Sequence, residues 1–257
     1  MRDIAIIGID AATKAKNMGL ACGKVTGEKC QLFEVVQDKN PVERIAGWMD
    51  GGPDTVLLAV DAPLGWPKQL GESLNDHLAG MPLGVPRHES NRLFRRHSDQ
   101  VIKELVGKQP LDVGANFIAR TAHSILCRLH ELADCCTRSV ELTLAWSPEV
   151  DEGCHLLEVY PAATLIALGA NTRGYKRSDD SGRIAREAIV EKLRGELQIE
   201  CPEKPLLAND DLLDAVVCVL AGFDFLRGLA VGPEKEEMKA ATKEGWIWCR
   251  QPVKKGG

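Results

Sequence analysis

Several large classes of protein are excluded by what this chain of 257 residues lacks. No uninterrupted apolar run approaches the roughly 20 residues of a membrane-spanning helix. Nothing ahead of the first strand-like segment resembles a secretory leader, since Met1, Arg2 and Asp3 run straight into apolar sequence. The nine cysteines form no Cys-x-x-Cys pair and no zinc-like cluster with histidine, which argues against a disulfide framework and a structural zinc site. Cys22, Cys127, Cys154 and Cys218 sit in apolar segments, where a free cysteine acts as a small hydrophobe, so a soluble protein of a reducing cytoplasm is expected, with no membrane partner. The formal net charge of −5 supplies no general attraction to nucleic acid, so any such contact must be local.

What the chain does have is a repeated event. Ile4 to Ala12 reads IAIIGIDAA, apolar on both faces as a central strand requires, and it ends on the carboxylate of Asp10. Thr55 to Asp61, TVLLAVD, is a second such strand that also ends on an acid. Cys154 to Tyr160, CHLLEVY, is a third and carries Glu158 near its end. Between the first two, Met18–Val25 and Cys30–Val36 are turn-linked strands that extend the first into an antiparallel meander. Pro41 opens a helix that Gly51, Gly52 and Pro53 stop.

Periodicity weakens from about 66 to 115, where Pro67, Pro82, Pro86 and Pro110 and two His-Arg clusters read as an insertion or lid. It returns as helices over Asn116–Ala133 and over Asp180–Leu197, the latter with Ile184 on its apolar side. Ser139–Trp146 reads equally as a short strand or an arm. Asn209–Leu226 is helical and nearly apolar all round, hence buried, with Asp210, Asp211 and Asp214 as its early charges. In the charged tail, Trp246, Ile247 and Trp248 are expected to dock on the core.

Paired in parallel, the first and fourth strands bring Asp10 and Asp61 together at their carboxyl ends, and Asp211 and Asp214, three apart on one helix, can close over the same spot. Clustered carboxylates repel unless divalent cations bridge them, and hard oxygen donors suit Mg²⁺ or Mn²⁺. Two such ions about 3.5 to 4 Å apart serve phosphodiester hydrolysis. The expected catalytic set is Asp10, Asp61, Glu158, Asp211 and Asp214, with Asp10, Asp61 and Asp214 as metal ligands. Each has a plainer reading: Asp10 and Asp61 as turn formers, Asp210 as the helix N-cap, and Glu158 as the partner of an arginine such as Arg173 or Arg177. Asp214 is the hardest to explain that way, because an unpaired charge inside an apolar helix is costly.

The most basic segment holds Arg87, His88, Arg92, Arg95, Arg96 and His97. Arg92, Arg95 and Arg96 are candidates to grip substrate phosphates, against a plainer reading as a solvated face paired with Glu89, Asp99 and Glu104. Phe94 is the one aromatic among them, so a single-strand stacking platform is not expected there.

Three antiparallel strands, a helix, then helix-linked parallel strands is the ribonuclease H-like order. The expected fold is α/β, a mixed five-stranded sheet flanked by helices with the insertion after its fourth strand, as one domain over 1–250 and a tail over 251–257. The chain also resembles a large prokaryotic domain family of predicted ribonuclease H-like nucleases. The resemblance rests on GIDAA at Gly8–Ala12, VDAPLGWP at Val60–Pro67, RRHSD at Arg95–Asp99, EVYPAA at Glu158–Ala163, DDLLDA at Asp210–Ala215 and EGWIW at Glu244–Trp248. The Asp-x-x-Asp-Ala step is similar to the last helix of RuvC-type Holliday-junction resolvases, with Asp211 and Asp214 as the matching acids. Metal-dependent nuclease chemistry on nucleic acid or a nucleotide is what the resemblance implies, while Ser98 stands where that family more often has Thr or Cys.

Two rival functions belong to other classes. Asp10-Ala-Ala-Thr13 is close to the phosphate loop of actin-type and sugar-kinase-type phosphotransferases, but position 12 is alanine where close approach to phosphate calls for glycine. Those enzymes also need two copies of the fold, and only one three-strand meander is visible. A catalytically silent nucleic-acid-binding module is the other, since fold alone does not establish turnover.

Overall fold

A computed structural model describes residues 3–82, 91–114 and 116–252. Strands β1 (Ile4–Asp10), β2 (Gly19–Thr26) and β3 (Lys29–Val36) form the meander, and helix α1 (Pro41–Asp50) leads to β4 (Thr55–Asp61). Then come α2 (Lys68–Leu74), α3 (His97–Val106), α4 (Asn116–Cys135), β5 (Leu142–Leu144), β6 (Gly153–Glu158), α5 (Pro161–Ala167) and α6 (Asp180–Arg194). The chain continues through β7 (Gln198–Ile199), α7 (Lys204–Ala208), α8 (Asp210–Leu226), β8 (Ala230–Val231), α9 (Met238–Glu244) and β9 (Cys249–Arg250).

The main sheet has seven strands in the order β5-β6-β4-β1-β2-β3-β7, which corrects the expected five. The two additions are its edges: β5 is three residues long and β7 two, too short to leave a periodic signal. The predicted center stands, with β1 antiparallel to β2, β2 antiparallel to β3, and β4 parallel to β1. β6 runs parallel to β4.

Side-chain alternation divides the central strands between two cores. Ala5, Ile7 and Ile9 of β1 with Val56, Leu58 and Val60 of β4 pack beside Ile45, Ala46 and Met49 of α1 and Ile125, Leu129 and Leu132 of α4. Ile6, Leu57 and Ala59 point the other way, into the core built on α8. Every residue of α8 from Leu212 to Phe225 is buried, so it is the central helix of that layer. At about 1.5–3 kcal/mol for each large apolar side chain removed from water, this helix is a main source of stability.

Glycines let α8 lie directly on the sheet. A Cβ on Gly8 would fall 2.0 Å from the Ala215 carbonyl oxygen, and one on Gly19 would fall 2.1 Å from that of Asp211. Gly8 and Asp10 share a face of β1, because side chains alternate along a strand. The close approach that Gly8 permits therefore carries Asp214 toward Asp10.

Some expectations need correction. Ile184 on α6 is exposed, and that helix packs through Ile189, Val190 and Leu193 instead. Asn209 caps α8 rather than Asp210, its side chain accepting from the Asp211 N–H at 2.8 Å. Cys127 is exposed, whereas Cys154 and Cys218 are buried. Trp246, Ile247 and Trp248 are buried as expected, and Phe225 meets Trp248 edge-on at 4.6 Å between ring centroids. Arg87 and His88 lie outside the described residues, and among those described no helix is long and apolar enough to cross a membrane.

Candidate functional site

Asp10 and Asp61 are direct register partners at the carboxyl ends of β1 and β4, where the helices that cover the sheet leave room for a ligand. Asp214 comes down on them from α8. One carboxylate oxygen from each of the three lies within 4.8 Å of the others, a spacing that a bound cation can bridge. All three offer hard oxygen donors, so the set is compatible with a divalent metal.

The electrostatics are those of buried, mutually repelling carboxylates. Burial raises the Asp10 carboxyl well above its ordinary range, and Asp61 and Asp214 raise it further. Asp61 is pushed up to about 7, first by burial and then by Asp214, with a hydrogen bond to Asp10 working in the opposite direction. Burial also raises Asp214, less freely, because protein donors hold its charged form. Those donors come from the loop between α5 and α6. Lys176 Nζ stands 2.6 Å from Asp214 Oδ2, and the Tyr175 hydroxyl donates to Oδ1 at 3.0 Å. Burial alone would lower the Lys176 ammonium, but Asp214, Asp61 and Asp10 hold it above its usual value. The charge of Asp214 is thus not unpaired: its partner is Lys176.

Glu158 and Arg96 are engaged elsewhere, with each other. Arg96 is only 1% exposed, and its guanidinium makes a bidentate pair with Glu158, Nη1 to Oε2 at 2.8 Å and Nη2 to Oε1 at 2.6 Å. The same Nη2 donates to Asp99 Oδ1 at 2.9 Å, and Nη1 donates to the Glu244 carbonyl at 3.1 Å. Glu158 Oε2 also accepts the Leu64 N–H at 2.9 Å. Gly245, at φ +85°, completes the knot, because a Cβ there would sit 2.7 Å from Glu158 Oε2. The RRHSD, EVYPAA and EGWIW motifs therefore meet in one buried ionic network. Glu158 stands outside the three-aspartate group with both oxygens committed, although its charge still helps to raise Asp61. For Arg96 the expectation of a phosphate contact is corrected: its guanidinium is buried, and its donors are taken by Glu158, Asp99 and the Glu244 carbonyl.

The other expected residues are dispersed. Arg95 Nε pairs with Asp112 Oδ1 at 2.8 Å, while Arg92 is exposed on the same segment. Asp211 accepts from Gln37 Nε2 at 3.1 Å, one turn before Asp214 and outside the group of three. Sequence reasoning missed Lys176 and Tyr175, which sit in the loop between α5 and α6, where no periodicity marks them.

Fold and site together define an α/β protein with a mixed sheet that gathers three aspartates at the ends of two parallel strands and on one buried helix. The chain belongs to the family described as "Protein of unknown function (DUF429)", which matches residues 8–238. No curated protein sequence matches significantly. Among solved structures, "T. thermophilus RuvC in complex with Holliday junction substrate" aligns over 88% of this chain and 96% of that chain, at 12% identity and a TM-score of 0.36.

Proposed function

We propose that the protein is a metal-dependent phosphodiesterase acting on nucleic acid, built on a ribonuclease H-like arrangement, with Asp10, Asp61 and Asp214 as ligands for Mg²⁺ or Mn²⁺. The observation that carries this reading is the convergence of three carboxylates from β1, β4 and α8 within 4.8 Å. The strand order β3-β2-β1-β4-β6, antiparallel only at β2, supports the ribonuclease H-like part. Divalent ions in such a site activate water and stabilize the leaving oxygen of an in-line displacement.

The chain's own residues prepare that chemistry. Tyr175 fixes the Asp214 carboxylate by donating to it, and Lys176 supplies positive charge beside the position that a scissile phosphate would take. The Arg96–Glu158 knot anchors the end of β6 next to β4, which holds the Asp61 strand end in place. Asp211 is assigned a secondary role at the site's edge, where its charge raises Asp10. Arg92 and Arg95 are left as outer phosphate contacts, and localization in the cytoplasm remains part of the proposal. Among the described residues one meander of this kind is present, and no observation favors the phosphotransferase or the silent-module reading.

The test is a panel of labeled single-stranded, double-stranded and branched DNA and RNA incubated with Mn²⁺. Cleavage by the parent that Asp61→Asn loses by about 10³-fold or more, as for removal of an essential electrostatic group, supports the reading. Absence of cleavage across the panel, or cleavage that Asp61→Asn retains, overturns it.

A further inference from the structure

Beside the three aspartates lies a cleft of about 550 Å³ to which Asp61 and Asp214 contribute acid and Lys108, Lys176 and Arg177 contribute positive charge. The chain has two tyrosines, and both line this cleft. The hydroxyl of Tyr175 is committed to Asp214. Tyr160 is half-buried and also lines an adjoining pocket of about 220 Å³, which shares Asp61, Leu111 and Lys176 with the cleft. The rest of that pocket's wall combines apolar Pro63, Pro110, Val113 and Ile118 with the mutually paired Arg96, Asp99 and Glu158. Gln109 lines the cleft as well, and its amide nitrogen is buried with no hydrogen-bond partner among the described residues.

Each feature fits one part of a nucleotide. Three cations beside an acid cluster, Lys108 together with Lys176 and Arg177, which also pair with Asp214 and Asp179, suit a phosphate that would otherwise be repelled by the carboxylates. An aromatic ring beside a pocket with both apolar and polar walls suits a base, whose flat face stacks and whose edge carries polar atoms. A buried N–H donor without an acceptor is costly when left alone and is satisfied by a polar atom of the ligand. A base in a duplex is stacked and paired, so it enters a side pocket only by leaving the helix.

We infer that the cleft and its pocket hold one unpaired nucleotide of a single-stranded nucleic acid, its phosphate among Lys108, Lys176 and Arg177 and its base against Tyr160. The inference rests on the phosphodiesterase reading and narrows its substrate to strands that present an unpaired base next to the reacting phosphate. Arg92 and Arg95, as outer contacts, then add less to affinity than the cations of the cleft.

The test measures binding of a labeled single-stranded oligonucleotide, the same sequence as a blunt duplex, and the same strand with abasic positions. The protein is the full chain carrying Asp10→Asn, in Mn²⁺, so that cleavage does not interfere. Expected are tenfold or tighter binding of the single strand over the duplex, and a loss of about tenfold in Tyr160→Ala that the abasic strand does not show. Leu111→Trp, at an exposed position that tolerates change, fills the pocket mouth and gives the same loss without depending on Tyr160. Lys108→Glu with Arg177→Glu lowers the salt slope by about 0.7, for the one single-strand phosphate they share. Equal binding of duplex and single strand, with both pocket variants like the parent, overturns the inference and leaves the phosphodiesterase reading standing. Absence of both binding and cleavage for every nucleic acid overturns the two together.

Discussion

Asp10 and Asp61 occupy the same rung of two adjacent parallel strands, the last rung that β1 and β4 share. Neither acid is placed by its own loop. Each is the terminal residue of a strand whose preceding residues are fixed by a fully apolar core on both faces, so the pair is as rigid as the sheet. That rigidity is what makes the third acid decisive, because α8 must be held at the right height above the sheet for Asp214 to join them.

Height is set by glycine. Gly8→Ala would place a methyl group 2.0 Å from the Ala215 carbonyl, a backbone atom that cannot swing aside. The helix must lift, and the overpacking costs about 1–3 kcal/mol or more. Urea melts should show that loss, and the stabilization that Mn²⁺ gives the parent should shrink because Asp214 has been moved away from Asp10. A Gly8→Ala protein with the parent's midpoint and metal response would mean that the close approach does not position the site.

The buried knot makes a different prediction for a residue that sequence reasoning placed in substrate binding. Arg96→Met leaves Glu158 and Asp99 buried without their cation, and breaking such a pair typically costs about 3–5 kcal/mol. The loss should be the same in chelator and in Mn²⁺. Arg95→Glu, at a partly exposed pair with Asp112, should change stability by less than about 1 kcal/mol. Chemical denaturation of the two variants side by side checks this, and an Arg96→Met protein as stable as Arg95→Glu would place the guanidinium outside the core.

Protonation links stability to the acid cluster with a definite sign. The Asp61 carboxyl is raised to about 7 in the folded, metal-free protein, above an unfolded value of about 3.9. Between those values the unfolded chain releases a proton that the native state keeps, so this residue's contribution falls as pH rises from about 4 to about 7 and levels off above it. In chelator, Asp61→Asn should therefore gain stability over the parent as pH rises through this window. Mn²⁺ binds the deprotonated carboxylates, so its affinity for the parent should increase across the same range. Melting temperatures of both proteins against pH test the sign, and a gap that narrows toward pH 7 would contradict it.

Lys176 neutralizes the cluster and competes for Asp214 at the same time. With its side chain 58% exposed, its pair with Asp214 is expected to contribute on the order of 1 kcal/mol. Lys176→Met should lower stability in chelator by about that amount and raise Mn²⁺ affinity by roughly fivefold, since each 1.4 kcal/mol is tenfold. Titration calorimetry that finds weaker Mn²⁺ binding in the variant would show that the lysine supports the metal site instead of competing with it.

The parts of the molecule that could be read from the sequence share one property: their information is local. β1 and β4 are continuous apolar runs, and an acid at the end of such a run has few places to go; β6 is apolar apart from His155 before its Glu158. The meander followed from turn-linked strands, and the burial of α8 from the absence of a polar face. What could not be read depends on partners distant in the chain. Arg96 and Glu158 are 62 residues apart, and neither the basic segment nor the strand indicates that they cancel each other. Lys176 reaches Asp214 from a loop 38 residues earlier, with no periodicity to place it. The edge strands β5 and β7 owe their pairing to the neighbors they meet, and Asn209 takes the cap that the sequence reading assigns to Asp210.

The central claim, that Asp10, Asp61 and Asp214 together form a divalent metal site, is tested most directly by calorimetric titration of Mn²⁺ into the parent and into Asp61→Asn at pH 8, above the value of about 7 to which Asp61 is raised. The account predicts saturable binding by the parent, lost or weakened by at least about 100-fold in the variant, as expected when a carboxylate ligand becomes an amide with one weak donor oxygen. Binding of Mn²⁺ to Asp61→Asn as tight as to the parent, or no binding to the parent at all, would contradict it.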